Sequence, residues 1–310
     1  MGTVRRISRH VEPPTVSEAI AAYLATLDHP ETAGTRRVYA STLRQLREHL
    51  GAETPVAVLD TPAAAKTLTA WFADRWSDHA PATFNRNLDA IRSLLGYWRD
   101  QDWLAGDPTR ALRLRRRAPD RTKALSKSDI EALLAREDLG LRERVLWRLL
   151  YETAARAGEV LALDVTDLDL RNRCAKVRRK GNAADVIVWQ TGTARVLPRL
   201  LRGRTAGPVF LTDRRARVEL PPPDLDPATG RARLSYRRAA ELFTRATGGA
   251  TLHQLRHSAL THAAEDGANT STLLSYSGHT SVASLARYAR VSPEALGRWQ
   301  ARRDPAARRR

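Results

Sequence analysis

The stretch from Leu252 to Tyr288 holds four residues whose types suit one task. His253 and Arg256 are spaced i, i+3, so on a helix they share a face. His279 follows a glycine in a turn, and Tyr288 comes nine residues later in a short predicted helix. A phenol is a nucleophile, and an arginine with two histidines supplies cations and hydrogen-bond donors. Brought together, they suit attack of the phenol on a phosphodiester while the cations hold the phosphate oxygens. A phosphodiester resists attack because its charged oxygens repel nucleophiles, and the five-coordinate transition state carries still more charge. The planar arginine fork binds two such oxygens at once and stays protonated. A phenol has an ordinary pKa of about 10, so it needs help to lose its proton.

Two upstream pieces match this chemistry. One is Thr153-Ala154-Ala155-Arg156-Ala157-Gly158-Glu159, and the other is Lys180 within Arg178-Arg179-Lys180-Gly181-Asn182, a strand-to-strand turn. Together the pieces resemble the tyrosine recombinases, also called the phage-integrase family, over roughly residues 125 to 300. The resemblance implies an Arg, a Lys, a His-x-x-Arg, a second His and a nucleophilic Tyr in that order. Here they are Arg156, Lys180, His253, Arg256, His279 and Tyr288. It also implies roles: Arg156 and Arg256 as phosphate clamps, Lys180 as general acid on the leaving 5′ oxygen, and Tyr288 as nucleophile. His253 would accept the phenolic proton or bond a phosphate oxygen, and His279 would donate to a non-bridging oxygen. Glu159, three residues after Arg156, would orient that guanidinium or equally stand as an acid on the helix surface. The implied reaction is site-specific DNA recombination through a 3′-phosphotyrosine, with neither ATP nor metal as cofactor. The implied partners are a double-stranded recombination site, further copies of the chain in a synaptic tetramer, and an accessory protein. The chain departs from the family pattern at three places. Ser277 precedes Gly278 where Leu is usual, Ala154 stands where a Gly is common, and Ala183 replaces a frequent second Lys. None of these removes a reacting group.

Taken singly, each residue has a plainer use. With 52 Lys plus Arg, any one Arg is a candidate surface charge or phosphate anchor. A tyrosine usually packs its ring, as expected for Tyr276, and a turn lysine such as Lys180 is usually solvated. His257 and His262 read as structural or as supports behind the reacting residues. His253 and His257 are also spaced as on zinc-binding helices, but the Glu of His-Glu-x-x-His is absent and no carboxylate or Cys cluster completes a site. Two other functions compete with recombination: relaxation of DNA in the manner of a type IB topoisomerase, and non-catalytic DNA binding or architecture. No Walker loop or other Gly-rich phosphate cradle is present, nor an Asp/Glu cluster for two metals.

The balance of charge agrees with a nucleic-acid partner. The chain has 310 residues, 42% of them hydrophobic, with a net charge of +18 and a pI of about 11.1. Such an excess favours a polyanion. An acidic membrane surface is the competing partner, but no stretch approaches the ~20 apolar residues of a spanning helix. The N-terminus has Arg6 where a myristoylation motif wants Ser or Thr, and no signal-peptide core is visible. The lone cysteine, Cys174, excludes an intrachain disulfide. A cytoplasmic, nucleoid-associated protein is expected.

The elements that must position the site read as mainly α with a small β-sheet, an α+β class with a DNA-clamp architecture. A flexible basic arm covers 1–14 and an N-terminal helical core-binding domain covers 15–109. Its helices start at the Thr15/Glu18 capping box, before Tyr39, at Thr61-Pro62 and near Pro81, with apolar residues at helical spacing. A basic linker at 110–124 carries Arg110, Arg113, Arg115, Arg116, Arg117, Arg121 and Lys123, expected on DNA phosphates. The catalytic domain covers 125–292. Within it a helix spans about Arg142 to Ala155, strands span Cys174–Arg178 and Val186–Trp189, and a third strand covers Val209–Leu211. Residues 220–230 read as loop. Helices start near Ser235, Thr251, Ser281 and Pro293. The C-terminal helix and Arg-rich tail, 293–310, are expected to contact a neighbouring protomer through Leu296 and Trp299.

Overall fold

The structure is a computed structural model of the chain and describes residues 13–29, 32–116, 124–179, 183–279, 281–285, 288, 296–297 and 299–301. It divides into two compact units, Met1–Pro119 and Asp120–Arg310. Both are mostly helical, and the second carries two small antiparallel sheets. Among the described residues no helix is long and apolar enough to cross a membrane.

The first unit is built from α1 (Val16–Thr26), α2 (Ala33–Leu50), α3 (Pro62–Trp76) and α4 (Pro81–Asp100). The Thr15 hydroxyl accepts from the Glu18 amide at 3.3 Å, and the Glu18 carboxylate accepts from the Thr15 amide at 2.9 Å. Such caps contribute about 1 kcal/mol each. The helical spacing delivers Leu43, Leu46, Phe72, Leu88, Ile91 and Trp98 to one core. Within residues 110–116, expected as the start of a linker, Leu112 and Arg115 make contacts with this unit. Leu112 joins its core, the Asn85 side chain bonds both backbone polar groups of Arg115, and the Arg115 guanidinium lies 3.9 Å over the Phe84 ring. Arg117, Arg121, Lys123 and the arm to residue 12 lie outside the described residues.

The second unit begins with α5 (Lys127–Ala135), capped by Ser126 and Asp129, and α6 (Leu141–Thr153). A five-residue α7 (Ala157–Leu161) follows. β1 (Leu168–Asp169), β2 (Cys174–Arg178) and β3 (Ala184–Val188) form one sheet in chain order, with Val177 opposite Asp185. Then come α8 (Thr191–Leu201), the pair β4 (Leu211–Arg215) and β5 (Arg231–Arg233), α9 (Tyr236–Thr247), α10 (Leu252–Glu265) and α11 (Thr270–Ser277). Trp147, Phe210, Phe243, Leu197 and Leu255 centre its core.

Several elements differ from the expected ones. β3 starts two residues before Val186. The strand expected at Val209–Leu211 begins only at Leu211, because Val209 and Phe210 are core residues on the way into it. α8 contains Gly192 and Pro198, both poor helix signals. A contact from α6 offsets them: the Glu152 carboxylate accepts from the amides of Gln190 (2.9 Å) and Thr193 (3.3 Å), capping the α8 N-terminus. Tyr288 stands in a turn rather than in the expected helix. It follows a short 3-10 turn at Val282–Leu285, and its amide bonds the Leu285 carbonyl at 2.8 Å.

Candidate active site

α6 ends at Ala154, which takes a left-handed conformation (φ 49°, ψ 19°) at a fully buried position. That geometry costs an alanine roughly 1–2 kcal/mol, which explains why a glycine is natural here. The turn does two things. It launches α7 with Arg156 as its N-cap residue, and it points the Ala154 carbonyl at α10. Glu159, one turn into α7, is buried. Its carboxylate accepts from the Arg156 backbone amide at 2.9 Å and from Arg156 Nη1 at 2.7 Å. The Arg156 side chain remains 43% exposed. It is therefore aimed by a buried carboxylate while its outer edge stays open to a ligand.

Arg256 lies on α10, capped by Thr251 and Gln254, and is only 4% exposed. A buried charge needs partners. Nη1 donates to the Ala154 carbonyl, and Nη2 donates to the Ser277 carbonyl at 2.7 Å. Burial, then the repulsion of Arg156, pushes its pKa down to about 10, with Tyr288 and Glu159 opposing. It is still a cation at neutral pH. Its place in the wall is set by two helix ends, one on each side.

α11 ends at Gly278, in the left-handed region at φ 60°, where its amide bonds the Leu274 carbonyl at 2.7 Å. This C-cap turns the chain so that His279 faces the Arg256 side of the site. Tyr288 is 2% exposed, packed in a small cluster with Ala154, Ala259, Leu260 and Leu285. Its ring neighbours two imidazoles, His257 at 5.1 Å and 67° between planes and His279 at 6.1 Å and 27°.

One cavity of about 440 Å³ is lined by Arg156, His253, Arg256, His279 and Tyr288, with Tyr236 and Ser284 at its edge. Five of the six residues expected to react thus line one pocket, and Glu159 supports it from behind. Lys180 lies outside the described residues. The strands that carry its turn are described up to Arg179, whose amide bonds the Ala183 carbonyl at 2.9 Å. Tyr276, expected to pack, is half-buried, and its hydroxyl donates to the carbonyls of Tyr151 and Glu152 at 3.0 Å, while desolvation raises its pKa. His262 Nδ1 meets the Tyr151 hydroxyl at 2.8 Å and belongs to the same packing.

Two participants, Tyr236 and Arg179, were not expected, and a third, His257, was expected as a structural or supporting residue. Tyr236, the first residue of α9, is exposed at the mouth of the cavity. His257 touches the Tyr288 ring. Arg179 is buried between the β2–β3 hairpin and α11. The spacing of His257 from His253 was visible in sequence, whereas nothing local marks Tyr236 or Arg179.

With this geometry in hand, comparison with known proteins is direct. The model of the Phage integrase family matches residues 123–295. Tyrosine recombinase XerC of Mycobacterium leprae (strain TN) is 30% identical over 281 residues, covering 84% of this chain and 90% of the relative. A lambda integrase (75-356) dimer bound to a COC′ core site shares the fold, with a TM-score of 0.66 at 15% identity over 90% of this chain and 96% of that one. A lambda integrase tetramer bound to a Holliday junction gives 0.65 at 14% identity over 94% and 84%.

Proposed function

Since the chain belongs to the phage integrase family, as a tyrosine-type site-specific recombinase that breaks and rejoins DNA strands, we propose that Tyr288 is its nucleophile. The observation that carries this is the single cavity holding a tyrosine, two guanidinia and two imidazoles. The Tyr288 oxygen attacks the scissile phosphorus and a P–O bond to it forms. The bond from phosphorus to the 5′ oxygen breaks. The phenolic proton passes to His253, and the leaving oxygen takes a proton from Lys180, so the products are a 3′-phosphotyrosine and a free 5′-hydroxyl. Arg156 and Arg256 hold the non-bridging oxygens, where negative charge develops. His279 adds a donor beside them. In the second step a 5′-hydroxyl attacks the phosphotyrosine, the P–O bond to Tyr288 breaks, and the strand is rejoined. The phosphotyrosine preserves the bond energy, so the cycle needs neither ATP nor a metal.

We further infer that the partner is duplex DNA carrying a recombination site, met in the cytoplasm, and that two such sites are joined by a tetramer. Leu296 and Trp299 are 50% and 45% exposed, which suits a contact with a neighbouring protomer. The domain reading is a helical DNA-binding unit, a basic connection and a catalytic unit.

The test is a nicked substrate that traps the covalent intermediate. Wild-type protein should form a protein–DNA adduct, and Tyr288→Phe should bind DNA and form none. An adduct with the Phe variant would assign the attack to another residue.

A further inference from the structure

Arg179 is 8% exposed on its side chain, immediately before the 180–182 turn. Nε donates to the Asp185 carboxylate across the hairpin. Nη1 donates to the Ser277 carbonyl at 3.0 Å and lies 3.7 Å from Glu159 Oε2. The guanidinium fills the space beside Gly278, so any Cβ at that glycine would overlap it. These partners are the supports of the site. Glu159 is the carboxylate that aims Arg156, and the Ser277 carbonyl also receives Arg256 Nη2. Ser277–Gly278 is the backbone that leads into His279, whose amide bonds Ser277 Oγ at 3.2 Å.

We propose that Arg179 is a positioning residue for strand cleavage: one buried cation ties the β2–β3 hairpin to the Ser277–Gly278–His279 turn and to Glu159, and so sets Arg156 and His279 against Arg256. This rests on the catalytic reading above. The physical logic is that the guanidinia of Arg156 and Arg179 both lie near enough to Arg256 to repel it. Glu159 lies between Arg156 and Arg179, and Asp185 balances Arg179 from the other side. A lysine at 179 would keep the charge, but a single ammonium on a flexible stem cannot reproduce the fork's fixed geometry. Arg156 would then lose its fixed aim while the fold remained.

The experiment measures adduct formation on a nicked substrate for wild type, Tyr288→Phe, Arg179→Lys, Glu159→Gln and the double variant Arg179→Met/Glu159→Gln. Arg179→Lys should bind DNA nearly as wild type, keep a cooperative melting transition and cleave about 10²-fold more slowly, as expected for a small misplacement of charged groups. On a methylphosphonate, which lacks one charged oxygen, the clamp matters less and the gap should narrow about tenfold. An equal gap on both substrates would mean that Arg179 holds the fold and does not aim the clamp. If Arg179→Lys fails to fold, the double variant, which removes facing charges together, carries the test. It should be slower than Glu159→Gln by clearly less than the ~10²-fold expected of Arg179→Lys, since the two changes share the Glu159 contact and only the tie to the Ser277 carbonyl is lost separately. Multiplying defects would overturn the proposal. Wild type that forms an adduct while Tyr288→Phe forms none keeps the catalytic reading whatever Arg179 does. Wild type that forms none sinks both.

Discussion

In the helical unit the buried polar side chains among the described residues are Thr42, Asn85, Asn87 and Thr109. All are neutral, and they pair within the unit: Thr42 Oγ1 donates to Asn87 Oδ1 at 2.6 Å, and Asn85 bonds the Arg115 backbone. The catalytic unit buries Glu152, Glu159, Asp226 and Arg256, with the Arg179 guanidinium close behind. Burying an ion costs several kcal/mol even after relaxation, and apolar packing of the same volume is often as stable. A unit that needed only to fold and hold DNA would keep its charges outside, as the first one does. In the second, Glu152 and Asp226 cap backbone amides, while Glu159, Arg179 and Arg256 belong to the candidate site, where a water-poor pocket makes a fixed cation far more effective on a phosphate. On the proposed reading the contrast divides labour: the first unit grips DNA, and the second carries the chemistry. Substitutions can test that division.

The largest effect is expected at Lys180. A 5′-alkoxide is a poor leaving group, and a positioned proton donor typically contributes about 10²–10⁴-fold. Lys180→Ala should therefore cleave ordinary DNA more slowly by that factor at unchanged DNA affinity. If the bridging 5′ oxygen is replaced by sulfur, the leaving thiolate needs no proton and the defect should largely vanish. A Lys180→Ala protein equally slow on both substrates would give the proton to another group, with His253 first in line.

Next comes Arg256→Lys. A lysine can reach the Ala154 carbonyl or the Ser277 carbonyl but not both. One buried carbonyl then lacks a partner, at a cost of about 1–3 kcal/mol in stability. Loss of one aimed donor to the transition state costs about 10²–10³-fold in cleavage rate. Unlike Lys180→Ala, this defect should persist on the bridging-sulfur substrate, because Arg256 serves the non-bridging oxygens. Rescue by sulfur would remove Arg256 from that role.

The two units also differ in how much of them the sequence discloses. The helical unit is written in local signals. Thr15 with Glu18, Thr61-Pro62 and a period that delivers Leu43, Leu46, Phe72, Leu88 and Ile91 all act within a turn or two. Its helix starts and core faces are therefore readable. In the catalytic unit the reacting residue types and their chain order were readable, and so was the pairing of Arg156 with Glu159 at i, i+3. What holds them was not. The support for Arg179 at Ser277 is 98 positions away, and that for Arg256 at Ala154 is 102. α8 was missed because Gly192 and Pro198 argue against a helix, while the contact that overrides them comes from Glu152 on α6. α7 and β1 are too short to show a period. Only tertiary contacts make these elements, and a single sequence does not display such contacts.

The smallest effect separates two arginines one position apart at the edge of the helical unit. Arg116 is exposed. Arg115 is not equivalent, although sequence alone places both on DNA phosphates. Its guanidinium covers the Phe84 ring at 3.9 Å, and its Nη1 donates to the Ser77 carbonyl at 2.5 Å. A cation held in that way serves the fold first. Arg115→Gln should lower the stability of the helical unit by about 0.5–1 kcal/mol, the usual size of an exposed cation–π contact, and leave the salt dependence of DNA binding nearly unchanged. Arg116→Gln should do the reverse: stability stays the same, and the log–log slope of affinity against salt falls by about one unit if one phosphate contact is lost. Neither change should alter the cleavage rate of the bound complex, because neither residue lines the candidate site. Melting curves and binding titrations at several salt concentrations decide it. A lower slope for Arg115→Gln with unchanged melting would place that arginine on the DNA and undo the distinction drawn from its contact with Phe84.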